Sequence, residues 1–311
     1  MMLKLVSLPT SGLMLGIVSL GLLLEPYCIG VKYFCGIVGG LLWLVLLCKF
    51  CSEGKNIAAT LKQNSILASV MPTFYMTTMQ LCVYAKSYAP GVCEVIWLIA
   101  VLAHTLHIIW FSYCYILHFK LANVYPSYLI PYVGYIVASV TAPAFGYMQL
   151  GSYIFWFGFP SSLMLLVLIT YRYFALPKVE PATLPLLCIY TAPMSMSLAG
   201  YYAVIANKSI TFITVLQVAG VILFFFVLLQ MPKLLKLPFY PSYAAFTFPF
   251  VITVTALKKS LQYYALEGIT VTPLAQYLLA LQYVVATSIV FYVLLRYAMD
   301  FRQRSRQTLN A

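Results

Sequence analysis

Long apolar runs alternate with short polar stretches along the whole chain. Ten runs stand out, at residues 11–24, 29–51, 65–84, 92–119, 128–146, 149–173, 184–204, 209–229, 240–264 and 273–299. Most have about the 20 residues that an α-helix needs to cross a bilayer. We therefore predict an all-α integral membrane protein in which ten transmembrane helices form five helical hairpins. The connections are short, so the whole chain, 1–311, forms one domain, and the longest connection, 52–64, is predicted to be cytoplasmic.

The composition excludes a soluble globular protein. Hydrophobic residues make up 63% of the chain and charged residues 8%, with a mean hydropathy of +0.96, whereas about a quarter of the residues in a soluble domain are charged. The first run, which follows Lys4, resembles a secretory signal, but no small-x-small cleavage site follows it and Glu25-Pro26 ends it. We interpret this run as an uncleaved first helix.

The net charge of +12 is distributed as in a membrane protein rather than a nucleic-acid-binding one. If the N-terminus is cytoplasmic, five of the 18 basic residues fall on the outer side: Lys32, Lys86, Lys208, Lys258 and Lys259. The others lie on the cytoplasmic side, as the positive-inside rule expects. We predict a multi-pass protein of the plasma or inner cell membrane, with both termini cytoplasmic and no nucleic-acid partner. The basic tail, 302–306, is expected to meet anionic lipid headgroups.

Prolines are concentrated in and around the odd-numbered runs. The second, fourth and eighth runs contain none, and Pro160 in the sixth is an exception. Those associated with odd runs are Pro9, Pro72, Pro126, Pro131, Pro143, Pro181, Pro185, Pro193, Pro241 and Pro249. A proline inside a membrane helix frees a carbonyl and bends the axis, which is tolerated where protein or a water-filled cavity satisfies the backbone. We predict an inner ring of kinked odd-numbered helices around a pore and an outer ring of even-numbered helices.

The ninth run carries the residue that we predict to close this pore. Its stripe at helical spacing is mostly small or polar around one large ring and contains Ala244, Phe248, Val251, Thr255 and Lys258. A helix from Lys236 to Lys258 would span roughly 33 Å, about one bilayer core, so Phe248 falls near its middle. We interpret this segment as a kinked helix that faces a narrow cavity, with Phe248 across it.

Five short motifs occur in order across the chain: Leu8-Pro9-Thr10, Met71-Pro72-Thr73, Tyr125-Pro126-Ser127-Tyr128, Ala192-Pro193 and Ala245-Phe246-Thr247-Phe248-Pro249. In this set the chain resembles the tellurite-resistance/dicarboxylate transporter family, which includes the slow-type anion channels of plant guard cells. The resemblance implies a ten-helix fold of five hairpins, a pore through each subunit and a homotrimer. It also implies that a phenylalanine on the ninth helix plugs the pore, and Phe248 occupies the matching position.

Hydroxyl groups and two lysines give the predicted pore a chemistry suited to anions. The residues predicted to line or kink the pore are Pro72, Thr73, Pro131, Pro193, Ala244, Pro249, Val251 and Thr255. The hydroxyls near the kinks are Thr73, Thr77, Thr78, Ser139, Thr141, Thr191, Ser195, Ser197, Thr247 and Thr255. A hydroxyl can donate to an anion without placing a fixed charge in the membrane; the alternative is that it holds helices together. Lys258 and Lys259 are predicted to form an anion-attracting outer mouth.

The remaining polar residues indicate no catalytic chemistry. The acidic residues all fall at or beyond the ends of the apolar runs, so none suggests a proton relay. His104 and His107 lie in the fourth run, and we interpret them as hydrogen-bonded between helices rather than as proton carriers. Cys48-x-x-Cys51 is interpreted as two ordinary small membrane residues. We predict no metal site, no cofactor and no enzyme activity.

These observations favour an anion channel or uniporter that passes small inorganic or organic anions down their electrochemical gradient, gated by Phe248. The main alternative is a coupled secondary transporter of dicarboxylate, sulfite or tellurite-like oxyanions. A structural or receptor-like membrane protein is the third hypothesis. Flux that depends on a proton gradient would distinguish coupled transport from a channel.

Overall fold

The computed structural model describes residues 2–309, and of Met2, Lys4 and Leu309 only the backbone. That part of the chain is helical and contains no strand. Within residues 2–309, nine helical spans are long and apolar enough to cross a membrane, and the first α-helix is shorter, at 15 residues. We number them spans 1 to 10, as follows: Thr10–Leu24, Ile29–Gln63, Ser65–Ala85, Pro90–Ile116, Pro126–Phe145, Met148–Ala175, Pro181–Val204, Ile210–Leu234, Pro241–Leu266 and Pro273–Thr308. The prediction of an all-α chain of apolar helices is confirmed.

The helix of span 2 extends well beyond its apolar run. Residues 52–63, predicted to be a connection, continue span 2 as a helix after a kink at Glu53, whose φ and ψ are −121° and 15°. Ile57 and Leu61 are buried there, while most of their neighbours are exposed. Spaced four residues apart, they form the apolar face of an amphipathic helix. Hydropathy therefore marks the lipid-embedded length of a helix and misses its amphipathic continuation.

Odd-numbered and even-numbered spans differ sharply in burial. Spans 3, 5, 7 and 9 are 67% to 83% buried over their most apolar stretch, whereas the even-numbered spans are 22% to 39% buried. Span 1 is buried over nearly its whole length. The most hydrophobic helices are therefore the exposed ones, as expected when the surrounding solvent is lipid.

Each buried span after the first is divided into two or three pieces. Span 3 consists of helices Ser65–Val70 and Thr73–Ala85. Span 5 has a 3-10 turn, a short helix and then the helix Ile136–Phe145. Spans 7 and 9 begin as the 3-10 helices Pro181–Thr191 and Pro241–Phe246 and continue as the α-helices Ala192–Val204 and Phe248–Leu266.

The prolines stand mainly at these restarts rather than at kinks within continuous helices. Pro9 and Pro72 immediately precede an α-helix, and Pro193 and Pro249 are the second residues of theirs. The first N–H groups of a helix have no intrahelical acceptor, so a proline there loses no hydrogen bond. The expected kink of span 9 at Pro249 is thus a break at Thr247, whose φ and ψ are −92° and −85°.

The contacts between spans follow two patterns. Each odd-numbered span packs against the even-numbered span that follows it, which gives five helical hairpins. The odd-numbered spans also pack against one another in the order 1, 3, 5, 7, 9, and span 9 returns to contact span 1.

Candidate functional site

All five buried spans contribute to one cavity of about 80 Å³. Its wall is almost entirely apolar. The lining residues are Pro9, Gly12, Leu15, Ile66, Val70, Thr73, Met76, Leu129, Ile130, Val133, Gly134, Leu186, Ile189, Ala192, Pro193, Met196, Ser242, Ala244, Ala245, Phe248 and Pro249. Most of these residues come from the N-terminal half of their span, so the cavity lies toward the side of the bundle where the odd-numbered spans begin.

The restarts of the buried spans converge on this cavity. The α-helices that begin at Thr73, Ala192 and Phe248 each have their first residue on the wall, and Pro9 and Gly134 line it next to the starts of two others. Several first-turn N–H groups already bond to carbonyls of the preceding 3-10 or turn residues. The cavity therefore lies beside the starts of five α-helices, although these particular N–H donors are not free to bind a ligand.

Phe248 is 7% exposed and is the first residue of the α-helix of span 9. The break just before it is held by Thr247, whose Oγ1 lies 2.7 Å from the Ala244 carbonyl oxygen and 3.1 Å from that of Gly12. Span 1 lies very close to this break, since a Cβ atom built on Gly16 would be only 2.4 Å from the Thr247 Cβ and Oγ1. This close contact restricts the backbone immediately before Phe248.

The structure brings together some of the residues predicted for the pore. Thr73, Pro193, Ala244, Phe248 and Pro249 line the cavity. The remaining predicted residues are buried or half-buried off its wall, namely Pro72, Pro131, Val251 and Thr255. Sequence reasoning missed the glycines of span 1 that line or approach the wall; their spacing of four residues, Gly12 to Gly16, is the small-xxx-small signal of close helix packing.

Most of the hydroxyls proposed as anion donors bond within the protein. Eight of the ten lie within 3.1 Å of a backbone carbonyl oxygen, three or four residues earlier in the chain. Thr78 and Thr141 also accept hydrogen bonds of 2.8 Å from Trp43 and Trp97 on the neighbouring outer spans. Because a hydroxyl has one proton to donate, these contacts favour the alternative that the hydroxyls hold helices together.

Lys258 and Lys259 lie near the far end of span 9, away from the cavity. Both are half-buried. The Lys258 ammonium lies 5.1 Å from the centre of the Tyr27 ring, in a cation–π contact with the loop between spans 1 and 2. Neither lysine belongs to an ion pair among residues 2–309.

His104 and His107 connect span 4 to the segments next to the breaks in spans 5 and 3. His104 Nε2 lies 2.9 Å from the Pro131 carbonyl oxygen, and His107 Nε2 lies 2.9 Å from that of Ala68. The Ala68 carbonyl precedes Pro72 by four residues, so proline removes the N–H that it would bond in a continuous helix. His107 supplies the missing donor.

We expect His107→Leu to lower the free energy of unfolding by about 1–3 kcal/mol, because the buried Ala68 carbonyl would lose its donor. Thermal unfolding in detergent measures the change. His118→Leu is the control, since His118 is exposed and its loss should change stability by no more than about 0.5 kcal/mol. Equal unfolding temperatures for both variants would contradict this role of His107.

The amino-acid sequence matches the family model described as voltage-dependent anion channel, SLAC1, over residues 8–298. The chain belongs to this family. The SLAC1 family includes TehA and the plant SLAC1 channels, so the resemblance found in the five sequence motifs is confirmed. No curated protein matches the sequence. Members of the SLAC1 family are anion channels or transporters of the membrane, and the matched range includes every residue on the cavity wall.

Proposed function

We propose that this chain is a channel or uniporter that passes small anions down their electrochemical gradient, through a pore closed by Phe248. The observation that carries the proposal is the cavity to which all five buried spans contribute and on whose wall Phe248 lies. In this proposal the odd-numbered spans form an inner ring around the pore, and the even-numbered spans form a lipid-facing ring. The cyclic contacts of spans 1, 3, 5, 7 and 9 and their deep burial support that arrangement.

The α-helices that begin at the cavity support anions as the ions that the protein passes. The first turn of an α-helix carries a partial positive charge, and five α-helices begin at or beside the cavity wall, although several of their first-turn N–H groups already bond to carbonyl oxygens. No described residue on the wall is acidic. An anion that enters the cavity is thus stabilised by fixed dipoles, without a buried cation that would hold it too tightly to leave. Lys258 and Lys259 would add an attractive field at the outer end of the pathway.

The alternative of coupled transport needs a group that binds the coupling proton. None of the described residues on the cavity wall is titratable, and proton-coupled carriers usually keep a titratable group at depth. His104 and His107 each bond to a backbone carbonyl behind the wall. These observations favour uncoupled passage over a proton-coupled transporter of dicarboxylate, sulfite or tellurite-like oxyanions.

Current measurements on the purified protein in planar bilayers test the function. We expect the reversal potential to follow the gradient of the permeant anion when chloride is replaced by nitrate, sulfite or a dicarboxylate, and to be unchanged by a pH gradient. A reversal potential that shifts with the proton gradient at fixed anion gradient would favour the coupled transporter. Absence of anion flux through both the wild type and a variant that lacks the Phe248 ring would contradict the channel and the coupled transporter alike.

We expect cysteine labelling from outside the cell to confirm that both termini are cytoplasmic. In a background with the exposed Cys28, Cys48 and Cys51 replaced by serine, Asn207→Cys should react with an impermeant thiol reagent and Lys55→Cys should not. Both positions are exposed, so access to the reagent decides the result. The reverse pattern would show the opposite orientation.

The homotrimer remains a proposal that rests on the resemblance to the family. The exposed surfaces of the even-numbered spans are rich in large apolar side chains, which suit contact with lipid or with another copy of the chain. Native mass spectrometry from nanodiscs should give a mass of three chains. A monomer under conditions that preserve function would contradict the trimer.

A further inference from the structure

Arg172, at the end of span 6, is a buried arginine without an acidic partner. It is 3% exposed and belongs to none of the three ion pairs formed among residues 2–309. The acid nearest to it in the sequence, Glu180, is exposed and lies beyond the end of the helix. A buried charge without a counter-charge is strongly unfavourable, so the surroundings of Arg172 require an explanation.

Hydrogen-bond donors without acceptors surround this charge. The guanidinium donates from Nη1 to the Leu176 carbonyl oxygen at 3.2 Å, whereas its buried Nε has no partner among the described residues. The hydroxyl of the next residue, Tyr173, is also buried without a partner. The guanidinium carbon lies 5.0 Å from the centre of the Tyr125 ring and 4.9 Å from that of Tyr173. Among the described residues, the cluster thus offers a positive charge and more donors than acceptors.

The cluster lies where three spans meet. Tyr125 immediately precedes span 5, and Arg172 and Tyr173 are in the last turns of span 6. Span 7 is joined to the same turns, because the Tyr190 hydroxyl lies 3.3 Å from Thr170 Oγ1. The start of span 5 contacts the 3-10 part of span 7 directly. In the topology proposed above, this end of the bundle lies in the cytoplasmic leaflet.

We propose that Arg172 and Tyr173 form a binding site for a phosphate-type oxyanion between the end of span 6 and the starts of spans 5 and 7. The planar guanidinium presents N–H donors in a fork that matches two oxygens of such an anion, and the tyrosine hydroxyl offers a further donor. Two sources supply this chemistry at a cytoplasmic membrane surface: the headgroup phosphate of an anionic lipid, which basic pockets between transmembrane helices bind, and a free inorganic oxyanion.

Thermal unfolding of the delipidated full-length protein in a neutral detergent separates these sources. One arm adds sodium phosphate or sulfate at constant ionic strength, with chloride as the reference. The other arm adds phosphatidylglycerol, with phosphatidylcholine as the reference. We expect a saturable rise of the unfolding temperature in one of the two arms, and an apparent affinity about tenfold or more weaker in Arg172→Gln, because a charge-assisted hydrogen bond is lost.

Two further variants make the test specific. Arg296 also stacks on tyrosine rings, with its guanidinium carbon 5.8 Å from those of Tyr243 and Tyr292, but it is only half-buried. Arg296→Gln should therefore respond to the anion like the wild type. Tyr173→Phe should fold, since it removes a hydroxyl without a protein partner, and should weaken the response about three- to tenfold if the hydroxyl donates to the anion.

The outcomes decide whether the site exists and which of the two sources supplies its anion. A response of the wild type to phosphate or sulfate that Arg172→Gln lacks identifies a free oxyanion, and one confined to phosphatidylglycerol identifies a lipid headgroup. The proposal is overturned if neither arm stabilises the wild type beyond its reference, or if Arg172→Gln and the wild type respond alike. Should Arg172→Gln fail to fold, Tyr173→Phe decides: a weakened response supports the site, and a response equal to that of the wild type overturns it.

Discussion

The Phe248→Ala protein is expected to conduct anions well above the resting level of the wild type. An ion that passes a phenylalanine ring in a narrow constriction loses hydration without gaining replacement contacts, which costs several kcal/mol. Truncation removes that ring and leaves the break at Thr247 and the helix that begins at residue 248. A barrier lower by only about 1.4 kcal/mol raises the rate of passage about tenfold. Bilayer currents under an anion gradient measure the change, and the reversal potential should still favour anions over cations.

Phe250→Ala is the matched control on the same helix. Phe250 is fully buried away from the cavity wall and packs edge-to-face against Phe224, with ring centres 5.8 Å apart. Its truncation should cost about 3–5 kcal/mol of stability and leave the resting current unchanged. If Phe248→Ala behaved in the same way, losing stability without gaining conductance, Phe248 would be a packing residue. A folded Phe248→Ala protein with wild-type conductance would contradict the gate.

Gly16→Ala is expected to destabilise the protein by about 1–3 kcal/mol and to change its conductance. The new methyl group would lie 2.4 Å from two Thr247 atoms and 3.0 Å from the Phe248 backbone nitrogen, and overpacking of this kind forces backbone shifts. The shift falls on the break that positions the Phe248 ring, so the resting current should change together with the unfolding temperature. Thermal unfolding and bilayer currents on the same preparation measure both effects.

Gly40→Ala provides the control for this prediction. Gly40 lies within the helix of span 2, and no atom comes within 4 Å of a Cβ built at that position. Alanine is the better helix former by about 0.5–1 kcal/mol, so stability should stay constant or rise slightly and the conductance should not change. If the Gly16→Ala and Gly40→Ala proteins had the same stability and current, the contact of span 1 with Thr247 would not restrict the position of the break.

The architecture could be predicted because it depends on average properties of long segments. Hydropathy located the apolar helices, and proline content separated the spans that are buried from those that are exposed. The internal construction of the spans escaped prediction, since a proline is compatible both with a kinked helix and with a helix that starts one residue earlier. The break at Thr247 contacts Gly16, which lies far away in the sequence, so the residues around Pro249 do not by themselves reveal whether it bends span 9 or follows a break.

The chemistry of the wall was harder to predict than its position. Ala244 and Phe248 were identified from one stripe of the ninth run and Pro249 from its expected kink, and all three line the cavity, whereas Val251 and Thr255 of the same stripe do not. The hydroxyls near the kinks were predicted as anion donors from their residue type and position. Whether a hydroxyl is free to donate depends on whether it already bonds to the carbonyl oxygen three or four residues earlier. An α-helix that begins at the cavity changes the electrostatic potential of the cavity through its backbone. No side chain in the sequence indicates this contribution.

The 3-10 segments also determine how far spans 5, 7 and 9 reach. A 3-10 helix rises about 2.0 Å per residue and an α-helix about 1.5 Å, so the 11 residues of Pro181–Thr191 extend about 5 Å farther than they would as an α-helix. A change of this segment to α-helix would shorten span 7 by about one helical turn. Leu186 and Ile189 line the cavity from this segment, so such a change would also turn them relative to Ala192. The width of the cavity would then depend on the length of the span.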